Sequence, residues 1–205
     1  MSPPPHKLLI ATTNRGKLRE VSEVLGGFGL TIVSLADYSD LPVAVEDGVT
    51  FEDNARIKAL HYARLTDCRT LADDSGLCVD ALNGEPGVHS ARYAGTPSSD
   101  AANNRKLIAT LQGKPEAQRT ARFVCVLALA EPATNSGLPS IVATARGEIE
   151  GVIVDHPRGS NGFGYDPHFL ISSLGKTAAE LPPEQKNAIS HRGQALRNMA
   201  AAGVW

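Results

Sequence analysis

The spacing of apolar residues in the first third of the chain predicts alternating strands and helices. Residues 7–12 contain a continuous apolar run, which is typical of a strand buried on both faces, and residues 30–34 form a second strand pattern. Between them, apolar side chains recur at helical spacing over residues 15–26, which predicts an amphipathic helix. A longer helix is predicted from Phe51 to about Leu65. This order of elements favours an α/β protein with a parallel or mixed sheet.

The middle of the chain continues the alternation. Alternating apolar positions over residues 77–81 predict a strand that ends in a glycine- and proline-containing turn. Residues 88–95 are irregular and short of apolar side chains, so we expect a loop. Residues 101–111 form an amphipathic helix pattern, and a final helix is predicted after Ser190 as its N-cap.

Two strand-like segments, residues 122–130 and 141–148, are joined by a loop that contains proline, asparagine and glycine. Their spacing favours an antiparallel hairpin. We place this pair in a second lobe of about residues 120–157, within a single domain of residues 7–205. Three consecutive prolines in residues 1–6 predict a disordered tail.

Composition narrows the classes of function. Twenty basic and twenty-two acidic residues leave a net charge of −2, so no overall field attracts nucleic acid or an acidic membrane surface. The three cysteines lie in or beside apolar runs and match no metal-binding spacing, which is typical of core residues in a reducing cytoplasm. The longest apolar run, residues 123–130, is far shorter than the ~20 residues that cross a bilayer. We therefore expect a soluble protein without a signal peptide.

The segment Leu71–Gly76 carries the first candidate chemistry. Asp73 and Asp74 follow a short apolar run and precede Ser75 and a glycine, so we expect a strand that ends at the carboxylates and a turn after it. In an open α/β sheet, ligands bind at this edge. Neighbouring carboxylates repel each other unless a cation neutralises them, which points to a divalent metal. A simple turn with side chains bonded to nearby backbone is the alternative.

The turn after the first predicted strand is a candidate phosphate site. Asn14 is a plausible N-cap, and the start of a helix offers free backbone N–H groups and a partial positive charge. Arg15 and Lys17 oppose the helix dipole there unless an anion binds between them. Two solvated surface cations are an equal alternative.

The second helix places polar side chains on the face that should pack inward. Thr50 and Asp53 form a capping-box pattern at its start. Asn54 and Lys58 share the face with apolar residues, so they need partners, which a carboxylate cluster or a phosphate would provide. We include Lys58 among the candidate substrate-binding residues; the alternative is that it extends to the protein surface.

Two further segments near the C-terminus suggest recognition of a base. Glycines flank Phe163 within residues 158–167, so a loop can present the ring as a stacking platform, although a buried anchor is as plausible. Lys186, His191 and Arg192 gather donors around Ser190 at a predicted helix start. Together with the carboxylate pair and the phosphate turn, these groups describe a nucleoside triphosphate site.

These segments resemble, nearly end to end, the inosine triphosphate pyrophosphatase family, which hydrolyses the triphosphates of inosine, deoxyinosine and xanthosine. The resemblance rests on six ordered signatures: residues 12–17, 51–55, 72–77, 86–93, 162–167 and 190–193. Two positions depart from the family. Asp53 stands where the family often has Glu and keeps the charge and the capping role, and Thr13 stands where many members have Gly and narrows the phosphate turn.

The resemblance implies a role for each matching residue and an α/β fold with a twisted mixed sheet and two lobes around a central cleft. Asp74 matches the general base, and Glu46 and Asp74, supported by Asp73, match the contacts of Mg²⁺. The triphosphate contacts would be Thr12, Thr13, Asn14, Arg15, Gly16, Lys17 and Ser75. The base contacts would be Phe163, Gly164, Tyr165, Asp166, Lys186, His191 and Arg192. A purine nucleoside triphosphate substrate, a homodimer and a cytoplasmic location are also implied.

Selectivity would follow from hydrogen bonding at position 6 of the purine. A donor such as Arg192 pairs with a keto oxygen but meets an amino group in adenine, and such mismatches discriminate by ~10⁴ or more. A pyrophosphatase of the septum-formation type, acting on modified pyrimidines, is an alternative of the same fold. A nucleotide-binding sensor without turnover is an alternative of another class.

Overall fold

The computed structural model describes residues 7–134 and 137–205, which form an α/β structure. Within these ranges the strands are β1 (Lys7–Ile10), β2 (Thr31–Ser34), β3 (Arg69–Val79), β4 (Thr120–Glu131), β5 (Ser140–Ile153), β6 (Phe169–Ile171) and β7 (Lys176–Thr177). The α-helices are α1 (Arg15–Leu25), α2 (Phe51–Thr66), α3 (Asp100–Thr110), α4 (Pro183–Ile189) and α5 (His191–Ala201). None of the described helices is both long and apolar enough to span a bilayer.

The strands form one mixed sheet in the order β2-β1-β3-β4-β5-β6-β7. β1 pairs in parallel with both β2 and β3, whereas β6 pairs antiparallel with β5 and β7. Leu8 and Leu9 in β1 are fully buried, as the continuous apolar run predicted. The prediction of an α/β fold with a mixed sheet is confirmed.

β3 differs from the sequence prediction. The chain was expected to turn after Asp74, but β3 continues through Asp73, Asp74, Ser75 and Gly76 to Val79. Gly76 was interpreted as a turn residue, yet it serves a close approach, because a Cβ there would collide with the carbonyl of Gly87 and the hydroxyl of Ser90. The predicted strand end and the separate strand at residues 77–81 are therefore wrong.

The chain divides into two compact units. The first contains the residues up to Asp74, Cys125–Gly147 and Arg192–Trp205, and its apolar core packs β1, α1, the start of β3, part of β4 and α5. The second contains Ser75–Val124 and Glu148–His191, and its core includes Leu77, Leu107, Phe123 and Phe169. The hairpin region 120–157 contributes residues to both units, so its existence as a separate lobe stays a prediction.

Most helix predictions are confirmed and several small elements are new. Asn14, Thr50 and Ser99 cap α1, α2 and α3 with their side chains. Residues 87–92 form a 3₁₀-helix where a loop was expected, and the short elements α4, β6 and β7 were not predicted. The predicted tail, residues 1–6, lies outside the described residues.

Candidate active site

The turn between β1 and α1 lies where the sequence predicted it. Leu71 lies opposite Ile10 in the parallel pair, and the carbonyl of Leu71 accepts the N–H of Ala11 at 2.8 Å. The Asn14 side chain then accepts the N–H groups of Gly16 at 2.8 Å and Lys17 at 3.1 Å, which caps α1. Because β1 ends beside Leu71, the start of α1 adjoins the carboxylates of β3.

Asp73 is the centre of a buried charge network within the first unit. Lys17 Nζ donates to its Oδ1, and Arg192 Nε donates to its Oδ2 at 2.8 Å. The Cys125 thiol also donates to Oδ2, at 3.1 Å, and Arg192 Nη1 donates to Glu20. Burial alone would raise the pKa of Asp73, but the charges of Arg192 and Lys17 outweigh it and hold this pKa well below its usual value. The charged form of Asp73 is therefore favoured in the folded protein.

Asp74 lies in a different environment, although it is the next residue. Successive residues of a strand point to opposite faces of the sheet, so the two carboxylates do not face each other. Asp74 Oδ1 accepts Lys58 Nζ at 2.9 Å, and the same ammonium donates to Glu46 Oε2 at 2.6 Å. Asp74 Oδ2 is buried and has no hydrogen-bond partner among the described residues. An acceptor left in this state costs free energy unless a further group binds it.

The pKa of Asp74 is raised, mainly because burial disfavours the charged form, while Lys58 opposes the rise. Burial alone would lower the pKa of Lys58, but the negative charges of Asp74 and Glu46 outweigh this effect and raise it. The pKa of Asp73 is lowered and that of Asp74 is raised, and opposite shifts in two neighbouring carboxylates are a common sign that they have different roles. Lys17 and Arg192 supply positive charge to Asp73, so the repulsion between the two carboxylates does not by itself require a divalent cation, and the predicted metal contacts stay a prediction.

One face of α2 holds the loop that carries Glu46. Asn54, which is almost completely buried, accepts the N–H of Gly48 at 2.9 Å. Lys58 binds Glu46 itself, and His61 Nε2 lies 2.8 Å from the carbonyl of Pro42. These side chains lie at successive turns of the helix, on the packed face where the sequence predicted that polar groups need partners. The prediction that a carboxylate cluster supplies a partner to Lys58 is confirmed.

We expect Gly48→Ala to displace this loop. A Cβ at position 48 would lie 2.5 Å from Asp53 Cβ and 2.8 Å from Asn54 Oδ1, which is too close for an unchanged backbone. Overpacking of this kind costs about 1–3 kcal/mol. Hydrogen-exchange mass spectrometry should show faster exchange over residues 41–50. Gly27→Ala is the matched control, because a Cβ at position 27 would contact nothing within 4 Å. Equal exchange over residues 41–50 in the two variants would contradict the role of α2 in holding this loop.

A second polar group lies within the second unit, on the glycine-rich loop and α4. Asp166 Oδ2 accepts Lys186 Nζ at 2.6 Å and the N–H of Phe163 at 2.9 Å. Lys186 Nζ also lies 5.0 Å from the centre of the Phe163 ring, a cation–π distance. Gly162 adopts φ 76°, and a Cβ there would collide with Asp166 Oδ2, so this position needs glycine. The loop therefore holds an aromatic ring, a carboxylate and an ammonium together.

Hydrogen bonds to residues outside the loop hold the rest of it in place. The hydroxyl of Tyr165 donates to the carbonyl of Ser90 at 2.8 Å, so Tyr165 is a buried anchor rather than a free contact group. Gly164 donates its N–H to Asp100 Oδ2 at 2.7 Å. Phe163 is half-buried, between the two alternatives that the sequence left open. His191 stacks on Phe123 at 4.9 Å and lines a small pocket with Asp166 and Lys186.

The structure places the remaining predicted residues as follows. Thr12 and Thr13 lie in the turn between β1 and α1. Arg15 and Gly16 begin α1, with Arg15 exposed, and Ser75 is half-buried in β3. Arg192 is 1% exposed and bonded to Asp73 and Glu20, contacts that assign it a place in the charge network and leave its predicted contact with a base untested.

Two members of the charge network were missed by sequence reasoning. Glu20 gave a weak signal, because it lies between the apolar positions 18 and 21 of an amphipathic helix and is 5% exposed. Cys125 gave none, since a cysteine within an apolar run is typical of a core residue. Both contacts join segments far apart in the chain, which local patterns do not reveal.

Three features define the class of α/β enzymes that act on phosphate compounds. They are a helix start with adjacent cations, a buried carboxylate with one unpartnered oxygen in the described structure, and a loop that holds an aromatic ring beside a carboxylate and an ammonium. The chain belongs to the Ham1 family, whose sequence profile matches residues 8–202. The resemblance inferred from the six signatures is thereby confirmed.

Relatives and solved structures agree with this assignment. A protein of Geobacter sulfurreducens, called a dITP/XTP pyrophosphatase, is 53% identical over 93% of this chain and 92% of its own. A protein of the same name from Exiguobacterium is 52% identical over 95% of both chains. The structure of a HAM1 protein from Coxiella burnetii matches with a TM-score of 0.83 and 44% identity, over 96% of this chain and 98% of that one.

Proposed function

We propose that this protein hydrolyses the triphosphates of inosine, deoxyinosine and xanthosine to the nucleoside monophosphate and pyrophosphate, which removes non-standard purines from the nucleotide pool. The observation that carries the proposal is Asp74, a buried carboxylate with a raised pKa and one unpartnered oxygen beside a cation-rich turn. The protein belongs to a family with relatives called dITP/XTP pyrophosphatases, and this membership supports the proposed reaction and substrate class.

Asp74 is the proposed general base. A water molecule bonded to Oδ2 loses its proton to this carboxylate as its oxygen attacks phosphorus, and the bond between the first and second phosphate groups breaks. The raised pKa makes Asp74 a stronger proton acceptor than an exposed aspartate. The nucleoside monophosphate and pyrophosphate separate, and the proton on Asp74 passes to solvent.

The chain's carboxylates fit Mg²⁺ only with help from the substrate. No group of three or more metal-binding side chains occurs among the described residues. Mg²⁺ is usually held by one or two carboxylates together with substrate phosphates, and Glu46 and Asp74 provide such a pair. Asp73 remains the proposed supporting residue, although its two oxygens already accept hydrogen bonds from Lys17, Arg192 and Cys125. When bound, Mg²⁺ balances negative charge on the triphosphate.

The turn at residues 12–17 is the proposed triphosphate site. The positive end of the α1 dipole suits a phosphate, and Lys17 and Arg15 bring further positive charge. Asp73 holds Lys17 in place, so this ammonium is oriented before any ligand binds. Lys58 and Ser75 are the proposed further contacts with the triphosphate. Lys58 bonds to the catalytic residue Asp74, and Ser75 follows Asp74 in the chain.

The group in the second unit is the proposed site for the base. Phe163 offers a ring face for stacking, and Asp166 and Lys186 offer an acceptor and donors next to it. His191, Gly164 and Tyr165 complete the set that the family resemblance implies, Tyr165 as an anchor of the loop. Arg192 remains the proposed donor to position 6 of the purine.

A panel of nucleoside triphosphates assayed for pyrophosphate release with Mg²⁺ tests this function. We expect kcat/KM for inosine and xanthosine triphosphates to exceed that for adenosine triphosphate by ~10⁴. Faster release from modified pyrimidine nucleotides would favour the septum-formation type of pyrophosphatase. Saturable binding of inosine triphosphate without pyrophosphate release would favour a sensor.

The assembly and location are further proposals. We propose a cytoplasmic homodimer, which the family resemblance supports, acting on free nucleotides without nucleic acid or membrane partners. Light scattering on the eluate of a sizing column measures the mass directly. A mass of 21.6 kDa at all concentrations would contradict the dimer.

A further inference from the structure

The ammonium of Lys58 lies between the two carboxylates that would hold the proposed metal. It is 2.6 Å from Glu46 Oε2 and 2.9 Å from Asp74 Oδ1, and its side chain is 11% exposed. Glu46 comes from the loop before α2, and Asp74 comes from β3, so a single cation joins two separate segments. The arrangement carries two negative charges and one positive charge.

The position of Lys58 therefore disfavours the binding of a free divalent cation to Glu46 and Asp74. Binding to Glu46 and Asp74 would either force Lys58 away from both partners or leave it directly beside a double positive charge. Moving Lys58 away has its own cost, because a largely buried ammonium without a partner is poorly solvated. Both routes weaken the binding of metal on its own.

A triphosphate changes this balance. Its oxygens offer Lys58 new acceptors, and its negative charge compensates the excess positive charge of metal and ammonium together. The ammonium can then leave the carboxylates without losing a partner. Metal and triphosphate consequently stabilise each other's binding, and thermodynamic linkage requires the same factor in both directions.

We propose that Lys58 is an internal counter-ion that keeps Glu46 and Asp74 closed to a free divalent cation and releases them when a triphosphate binds. This inference rests on the proposed function, which supplies the metal and the triphosphate. It assigns Lys58 a role beyond substrate contact: it makes occupancy of the metal site conditional on substrate. Metal is thereby admitted together with the group on which it acts.

Direct measurement of Mn²⁺ binding by electron paramagnetic resonance tests the proposal without turnover. The probe is Mn²⁺ alone or with the α,β-methylene analogue of inosine triphosphate, with correction for Mn²⁺ held by free analogue. We expect the unmodified protein to bind Mn²⁺ at least about tenfold more tightly when the analogue is present. In Lys58→Met and Lys58→Gln, Mn²⁺ alone should bind at least about tenfold more tightly than in the unmodified protein, and the coupling factor between Mn²⁺ and the analogue should be correspondingly smaller.

Arg56→Met is the matched control. It removes a cation from the same helix, but Arg56 is exposed and pairs only with Glu52 in the described structure, so both affinities should stay unchanged. Lys58→Gln keeps a hydrogen-bond donor and protects the test against unfolding of Lys58→Met, and circular dichroism checks both. The unmodified protein provides a test that needs no variant.

Two results would overturn the inference, and they differ in what they imply. If the unmodified protein binds Mn²⁺ with the analogue but shows no coupling, or if neither Lys58 variant binds free Mn²⁺ more tightly, the counter-ion role is wrong while the proposed function stands. If neither the unmodified protein nor any variant binds Mn²⁺, with or without the analogue, the metal dependence in the proposed function is wrong as well.

Discussion

Asp74→Asn is expected to lower kcat for pyrophosphate release by about 10²–10⁴, the usual contribution of a general base. The amide keeps the shape of the side chain and can still bond to Lys58 through its oxygen, but it cannot accept a proton from water. The affinity for the α,β-methylene analogue of inosine triphosphate should change only a few-fold, because the triphosphate turn and the base group are untouched. Steady-state kinetics and calorimetric titration measure the two quantities.

The control for this variant is Asp80→Asn, which changes a surface carboxylate paired with Arg122. Its kcat should equal that of the unmodified protein. The pH profile of kcat/KM gives an independent check, because it reports the free protein and should rise with pH as Asp74 loses its proton, with an acidic limb above the ordinary aspartate value of 3.8. Turnover by Asp74→Asn near the unmodified rate would exclude Asp74 as the base.

Asp73→Asn is expected to destabilise the fold more than any other exchange of a carboxylate for its amide in the described residues. It removes the anion that Arg192 and Lys17 share in a buried site, and removing one partner of a buried ion pair costs about 3–5 kcal/mol. Urea unfolding near neutral pH measures this loss. Asp80→Asn again serves as control, since its exposed pair with Arg122 is worth less than about 1 kcal/mol.

The loss in Asp73→Asn should depend on pH. The folded protein holds the pKa of Asp73 below its ordinary value of 3.8, so the stabilisation by the charged form is complete above that pH. It is lost as pH falls through the lower pKa of the folded state. The difference in unfolding free energy between the two proteins should therefore shrink below pH 3.8, and a difference that is independent of pH would contradict the ion-pair explanation.

The sequence predicted the elements whose causes are local. Asn14 as the cap of α1 and the capping box of Thr50 and Asp53 depend on residues within one turn, and both were found in the expected places. The partner of Lys58 was predicted only by type, because helical periodicity shows that a face is packed but not what packs against it.

The error at β3 has an equally physical origin. A serine and a glycine after two aspartates usually indicate a turn, yet here Gly76 lets a strand continue past Gly87 and Ser90 where any side chain would collide. That collision involves residues more than ten positions away, so the local pattern carries no trace of it. The bond from Arg192 to Glu20 joins residues 172 positions apart and is hidden for the same reason.

The opposite fates of Asp73 and Asp74 follow from the alternation of side chains along β3. A turn would have placed both carboxylates together at one cation, whereas a strand directs them to different faces. Asp73 then meets Lys17 and Arg192 and becomes a fixed anion, and Asp74 meets a single ammonium and keeps one oxygen free. The proposed division between a structural and a catalytic carboxylate is a consequence of this geometry.

Product analysis of inosine triphosphate hydrolysis tests the proposed reaction most directly. Ion-exchange chromatography after incubation with Mg²⁺ separates nucleoside mono- and diphosphates, pyrophosphate and orthophosphate. We expect inosine monophosphate and pyrophosphate in equal amounts, no inosine diphosphate, and loss of both products in Asp74→Asn. Inosine diphosphate with orthophosphate, or no hydrolysis by the unmodified protein, would contradict the proposed function.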